Sequence, residues 1–321
     1  VVFFFFFGGG VFVGAPFFCP VPPKKKKKND KHQTKKYMPS PIGFNLLVWT
    51  AAISEKMNPI ADRLKTIGYD GVECFIDTQE VDVYRQFGDH LKQLGLLSTC
   101  VTVVGPDTNP ASDSASVRAQ AVNHLKGAID RAHALGASVM CGPFHSAFAT
   151  FTRREPQPDE YAHSAEVLHK VGDYARQAGI MLAPEALNRF ECYLCNTMTQ
   201  LLELVRQTDH PNVRAMFDTH HANMEEKHFP DALRTIAPVL AHVHISENDR
   251  GTPGSGHIPW DDTFRTLAEL DYTGWMTIEA FTRNDIDFAN SINVWREFSQ
   301  PWDIAENGLK FIKMMQDKYA G

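Results

Sequence analysis

The sequence is short of several features that mark whole classes of function. Basic residues are not in excess: 32 Lys and Arg face 38 Asp and Glu, for a formal net charge of −6. The shortage sharpens when the chain is divided. Residues 1–38 hold eight Lys and one acid (Asp30), a balance of +7, whereas the other 283 residues hold 24 Lys and Arg against 37 Asp and Glu, −13. A body of that sign repels phosphate backbones, which argues against a nucleic-acid partner. No GxGxxG-type loop follows the first strand pattern, so the usual mark of a dinucleotide-binding open sheet is missing. Cysteine is scarce, with six in 321 residues, and only Cys192 and Cys195 stand at CxxC spacing, without a second pair. This is the thiol usage of a reducing compartment, and it places the expected location in the cytoplasm.

A clean hydrophobic run is absent too. Residues 1–23 are rich in Phe and Val, but three Gly at 8–10 and Pro16 break the stretch, and five Lys at 24–28 follow it rather than precede it. A signal peptide has the opposite order, and the run is at the short end of the ~20 residues a membrane span needs. Runs of Phe, Gly and Lys are what homopolymeric T, G and A codons give, and the first Met is Met38. The expectation is that residues 1–38 are a low-complexity leader or a gene-model artefact, disordered and outside the fold. Residues 39–321 then form one domain, with no membrane partner.

What is present is ordinary globular composition, 43% apolar and 22% charged, in a chain long enough for a large core. From residue 42 onward, short apolar runs alternate with amphipathic ones. Strands are expected at 42–49 (IGFNLLVW), 71–75 (GVECF), 97–103, 138–142, 180–185, 213–218, 241–245 and 275–279. Helices are expected at 59–68, 81–95, 114–136, 158–179, 197–208, 231–237 and 261–270, with a last one over 301–319. Glycines at 95, 136 and 179 close helices and lead directly into the next buried strand. Eight β-then-α units with short links imply parallel strands and right-handed crossovers. The fold class is α/β, a single-domain (β/α)8 TIM barrel of typical size. A doubly wound open sheet is the competitor.

In such a barrel, function sits at the C-terminal ends of the strands. Strand five ends in Glu185, strand six in Asp218 and strand eight in Glu279, and strand seven carries His244. Their spacings of 33, 26 and 35 residues are each about one βα unit, which sets all four around one rim. Three carboxylates and an imidazole cannot converge in a low-dielectric pocket without a countercharge. A divalent cation supplies it, and the donor set suits Mn²⁺, Mg²⁺ or Co²⁺. Glu191, His221 and Arg250 follow these ends in βα loops, where ligand contacts concentrate. His220, His242 and His257 flank the same ends, and Glu73 stands on strand two. We leave Glu73 out of the catalytic set.

The segments PEALNRFE (184–191), DTHHANMEE (218–226), HVHISENDRGTPGSGH (242–257) and GWMTIEAF (274–281) together resemble the ketose 3-epimerase family. Its members include the D-tagatose, D-psicose (allulose) and L-ribulose 3-epimerases, within the xylose-isomerase-like barrel group. The resemblance implies that Glu185, Asp218, His244 and Glu279 hold one divalent cation, most often Mn²⁺. It also implies that Glu185 and Glu279 form the catalytic acid/base pair. Glu191, His221 and Arg250 would hold the sugar's O1–O3 end, and Trp49, closing strand one, would match an aromatic of the substrate pocket. A free ketose is the implied substrate and a homodimer or homotetramer the implied assembly. The implied reaction is epimerisation at C3, with deprotonation and reprotonation by the two glutamates through an enediolate that the cation stabilises. The departure is at strand four, where Ala147 stands in place of a Trp that some relatives carry, so the wall facing the sugar's far end is left open. Two other readings stay open: an aldose–ketose isomerase, hydroxypyruvate-isomerase-like or inosose-dehydratase-like enzyme of the same barrel group, and a catalytically silent sugar- or metal-binding barrel.

Overall fold

The computed structural model describes residues 39–320; the expectation for residues 1–38 lies outside the described residues. Eight strands alternate with helices in the order β1 (Ile42–Asn45), α1 (Asn58–Ile67), β2 (Gly71–Phe75), α2 (Val81–Leu94), β3 (Leu97–Val101), α3 (Ala115–Leu135), β4 (Ala137–Gly142), α4 (Pro158–Ala178), β5 (Met181–Pro184), α5 (Met198–Thr208) and β6 (Ala215–Asp218). The short α6 (Thr219–Glu225) follows at once, then α7 (Phe229–Ile236), β7 (Leu240–Ile245), α8 (Trp260–Glu269), β8 (Trp275–Ile278), α9 (Ile286–Ser291) and α10 (Pro301–Lys318). Every strand pair is parallel, in the order β5-β4-β3-β2-β1-β8-β7-β6. The ring closes between β5 and β6 through a single parallel bridge, Leu182 to Val213, where Leu182 N donates to Asn212 O at 3.0 Å and Arg214 N to Leu182 O at 2.8 Å. The chain therefore folds as the expected TIM barrel, with its weakest seam beside β6.

Alternation along the strands decides what faces the barrel axis. One parity (Phe44, Val72, Cys74, Cys100, Met140, Leu182, Phe217, Val243, Ile245, Ile278) is buried in the main core cluster with the helices' apolar faces. The other parity turns inward and is unusually polar: Asn45, Glu73, Thr99, His242, His244 and Thr277 are all buried. Polar side chains in a closed barrel need partners within it, so this layer is already a sign of function.

The largest departure from the sequence expectation is at strand one, which ends at Asn45 rather than at residue 49. Asn45 caps a 3₁₀ turn (Leu46–Val48), its side-chain oxygen accepting from Leu47 N at 2.9 Å. The turn swings the chain outward. Trp49 then packs in the core, its ring 5.3 Å from Phe44 and 4.8 Å from Trp302 on α10. The continuous apolar run LLVW does not distinguish a strand from one buried turn. Helices α6 and α9 are further additions to the expected pattern, each too short to show a helical period in the sequence.

Gly142, the last residue of β4, has φ +116°, a region that side-chain-bearing residues rarely adopt. A Cβ there would overlap the Thr102 carbonyl oxygen and the Val101 side chain on β3. Its own carbonyl accepts from Glu185 N at 3.0 Å, so the strain would reach the strand-five carboxylate. Gly142→Ala is expected to destabilise the fold by at least about 1–3 kcal/mol, read as a lower denaturant midpoint with unchanged slope. An unchanged midpoint would show that β3 and β4 separate freely.

Candidate active site

Each of the four strand-end residues is placed by a local backbone device. Glu185 follows β5 and is tied to Gly142. Asp218 ends β6 and caps α6, its Oδ1 accepting from His220 N at 2.6 Å and His221 N at 3.2 Å. That leaves Oδ2 for the site, where it accepts from Ser246 Oγ at 3.0 Å and Arg250 Nη1 at 3.1 Å. His244 is the fifth residue of β7 and turns inward. Glu279 directly follows β8, and its Oε2 accepts from Arg250 Nη1 at 2.7 Å. His244 Nδ1 lies 3.4 Å from Glu279 Oε2 and 3.5 Å from Asp218 Oδ2. Glu185 Oε1 lies 3.6 Å from His221 Nε2.

All four are buried. Ligand atoms of Asp218, His244 and Glu279 lie within 4.8 Å of one another, as do those of Glu185, Asp218 and His221. Asp218 thus joins the expected four into one cluster. Two of its buried atoms, Glu185 Oε1 and His244 Nδ1, have no hydrogen-bond partner. An unpaired buried carboxylate oxygen and an unpaired imidazole nitrogen beside two more carboxylates are costly as they stand. They are also the hard oxygen and borderline nitrogen donors that a divalent cation takes. The residues therefore fit such an ion.

The charges respond to this crowding. Burial, and then the Glu279 carboxylate, push Glu185 well above the usual carboxylate range. Burial would raise Asp218 too, but the Arg250 guanidinium, His221 and His244 together outweigh it and hold Asp218 well below that range. Burial opposes charge on His244, yet Glu279 and Glu73 overcome it and raise the imidazole well above its ordinary value. For His220 and His145 the compensating contacts (Asp218 and backbone carbonyls for His220, the Glu185 carbonyl for His145) are too weak, and burial lowers each to about 4.

Above the cluster opens a cavity of about 1060 Å³ whose lining includes Glu185, Glu191, His221, Arg250 and Glu279. Its wall is mixed: Phe75, Val101, Phe148, Leu187 and Phe281 supply apolar surface, with Asp77, Asn248, Asp285 and Arg296 among them. Arg250 has φ +63°, a left-handed conformation that costs a residue with a side chain about 1–3 kcal/mol. It is held by its N donating to Glu247 O at 3.0 Å, its O accepting from Phe281 N at 2.9 Å, and its guanidinium 4.8 Å over the Phe281 ring. Asn188 donates its side-chain amide to His221 Nδ1 at 2.9 Å and its backbone N–H to the same atom at 3.2 Å, while Arg250 Nη2 lies 3.0 Å from His221 Nε2. Donors therefore face both ring nitrogens, and a neutral imidazole can accept at only one. An acceptor oxygen between Arg250 and His221 would relieve that conflict. Glu191 accepts from Asn188 Nδ2 at 3.0 Å.

The structure thus brings Glu185, Glu191, Asp218, His221, His244, Arg250 and Glu279 together and leaves Trp49 out. Trp49, expected at the substrate pocket, packs in the core after the turn at Asn45 and is not among the residues lining the cavity; Leu47, Ala51 and Ala52 reach it from that segment. Among the flanking histidines, His220 lines the cavity, His242 is buried beside Glu73 at 2.9 Å, and His257 is exposed. Phe148 lines the cavity in the strand-four loop, while Ala147 is buried. Asn45, Asn188 and Ser246 join the site without a local signal in the sequence, and Glu73 contributes more than its place on strand two suggests. The signal for Glu73 was an acid inside the apolar strand GVECF, at the inward parity.

The family model described as "Xylose isomerase-like TIM barrel" matches residues 61–314. An L-ribulose 3-epimerase of Methylomonas sp. is 30% identical over 272 residues, covering 83% of this chain and 92% of its own length. The chain belongs to the ketose 3-epimerase family of these barrels. As a member it is an enzyme of the isomerase class. A D-psicose 3-epimerase of Agrobacterium fabrum is 29% identical over 266 residues, 80% of this chain and 91% of that protein. The solved D-allulose 3-epimerase from Methylomonas sp., in complex with D-allulose, superposes with a TM-score of 0.80 at 27% identity, covering 86% of this chain and 97% of the other. Among the described residues of this ketose 3-epimerase family member, no helix is long and apolar enough to cross a membrane.

Proposed function

We propose that this chain epimerises a free ketose at C3, with Glu185 and Glu279 as the proton-transferring pair. The observation that carries the reading is the buried meeting of Glu185, Asp218, His244 and Glu279 at the cavity floor, with two of their donor atoms unpaired. The relatives' named substrates supply the substrate class. Glu185, Asp218, His244 and Glu279 would hold one divalent cation, Mn²⁺ first and Mg²⁺ or Co²⁺ as alternatives. Bound there, the ion supplies Lewis-acid polarisation of a carbonyl.

The chain's own residues then divide the work. Removing the C3 proton beside a carbonyl gives an enediolate, and inversion requires the proton to return on the other face. That takes one carboxyl group per face, each acting alternately as base and acid. Glu185 and Glu279 come from β5 and β8, on different sides of the ring of strands. Arg250 and His221 present N–H groups to the oxygens of the reacting end, and Glu191 accepts from a hydroxyl, so the sugar is oriented before any proton moves.

The test is an incubation of the cation-loaded protein with ketohexoses and ketopentoses in D₂O, followed by NMR. The expected result is interconversion of C3 epimers with one deuterium entering at C3. Label at C1 or C2 with an aldose product would replace this reading with aldose–ketose isomerisation. Calorimetric sugar binding with no exchange would mark a silent barrel.

A further inference from the structure

Beneath the cavity floor lies a further buried carboxylate, which the acid/base and ligand assignments leave unused. Glu73 stands in the middle of β2, points into the barrel and is fully buried. Its Oε1 is 2.8 Å from His244 Nε2 and accepts from Asn45 Nδ2 at 2.9 Å. Its Oε2 accepts from Thr99 Oγ1 at 2.9 Å and from the Cys141 thiol at 3.3 Å, and lies 2.9 Å from His242 Nε2. Asn45 Nδ2 also reaches Glu279 Oε1 at 3.3 Å. Glu73 is thus the hub of a network that touches two of the four strand-end residues.

The direction of these hydrogen bonds matters more than their number. A carboxylate ion only accepts, so the short contact to His244 Nε2 requires the proton to be on that nitrogen. In a neutral imidazole this leaves Nδ1 as a bare lone pair, and Nδ1 is the unpartnered atom facing Asp218 and Glu279. A partner on the far ring nitrogen is how a ligating histidine is fixed in tautomer and orientation. The Asn45 amide, donating to both Glu73 and Glu279, fixes the second group in the same way.

We propose that Glu73 is a positioning residue for the cation centre: it holds His244 with Nδ1 free for the ion and, through Asn45, sets the side chain of Glu279. This rests on the cation reading given above. The same residues admit one competing use, because Glu73, Cys141, His242 and His244 offer ligand atoms within 4.8 Å of one another. A thiol with imidazoles suits zinc. None of the four lines the cavity, and both oxygens of Glu73 already have donors, so the hydrogen-bonded network is the better account.

The experiment titrates Mn²⁺ into metal-stripped full-length protein by calorimetry. Glu73→Gln is expected to weaken binding by about 10–100-fold. Thr99→Val removes a hydrogen bond from the same carboxylate without touching His244, and is expected to keep the wild-type affinity. Loss in both variants alike would mean that Glu73 matters only for packing. A folded Glu73→Gln protein with wild-type affinity overturns the proposal alone. A wild type that binds no Mn²⁺ brings down the cation centre as well. A second equivalent of Zn²⁺ per chain that disappears in Cys141→Ala would establish the competing site and overturn the proposal. Should Glu73→Gln fail to fold, the Mg²⁺-loaded wild type decides through ¹⁵N-histidine NMR, with the His244 signal identified by its loss in His244→Gln. A proton on Nε2 and none on Nδ1 supports the proposal; the reverse tautomer overturns it.

Discussion

Glu279→Gln is expected to lower kcat for C3 epimerisation by about 10²–10⁴-fold, the usual worth of a positioned acid/base group. Gln has nearly the same volume, and its amide oxygen can still accept from Arg250, which reaches Glu279 Oε2 at 2.7 Å. The fold should therefore survive, with thermal unfolding close to wild type. What is lost is the ability to take and return a proton on one face of the sugar. The other oxygen matters too, because Oε1 accepts from Asn45 Nδ2 at 3.3 Å, and a Gln amide nitrogen there would set donor against donor. The measurement should be made at saturating cation, so that weaker ion binding is not read as lost proton transfer. Epimer formation and deuterium entry at C3 should fall together. Turnover at the wild-type rate would end the two-base assignment.

Stripping the protein with a chelator is expected to abolish turnover, and added Mn²⁺ to restore it. The physical reason lies in the cluster itself. Three buried carboxyl groups and an imidazole are balanced by one guanidinium, Arg250, which reaches Asp218 at 3.1 Å and Glu279 at 2.7 Å but is not hydrogen-bonded to Glu185. An ion would pair the orphaned Glu185 Oε1 and His244 Nδ1 and offset the repulsion that pushes Glu185 up. Stability should follow by linkage: an ion at 100 times its Kd adds about 2.7 kcal/mol, seen as a rise of several degrees in Tm. Full activity in protein shown by elemental analysis to hold no transition metal or Mg²⁺ would remove the cation from the reaction.

The two parts of the site were not equally legible in the sequence. Glu185, Asp218 and Glu279 sit where an apolar run stops, and in a parallel barrel the stop faces the functional rim. Local pattern was enough there. Trp49 lies in the core rather than at a strand end, and the sequence does not show it, because burial of a strand and burial of a 3₁₀ turn leave the same apolar letters and only the Asn45 cap separates them. Glu73 was undervalued for the opposite reason. Its partners His244, Thr99, Cys141 and Asn45 come from four other strands, so no local window contains the network. Asn188 likewise gains meaning only from His221, 33 residues away.

The order of strands and helices and the acids that stand at the C-terminal strand ends follow from the sequence alone, because periodicity and strand ends are short-range properties that one stretch of chain expresses by itself. Which nitrogen of His244 faces Asp218 and Glu279, what Arg250 bridges, and where the ring of Trp49 points were decided only when the barrel closed. Those outcomes depend on contacts across the axis between residues far apart in the chain, and a linear pattern carries no record of such distances.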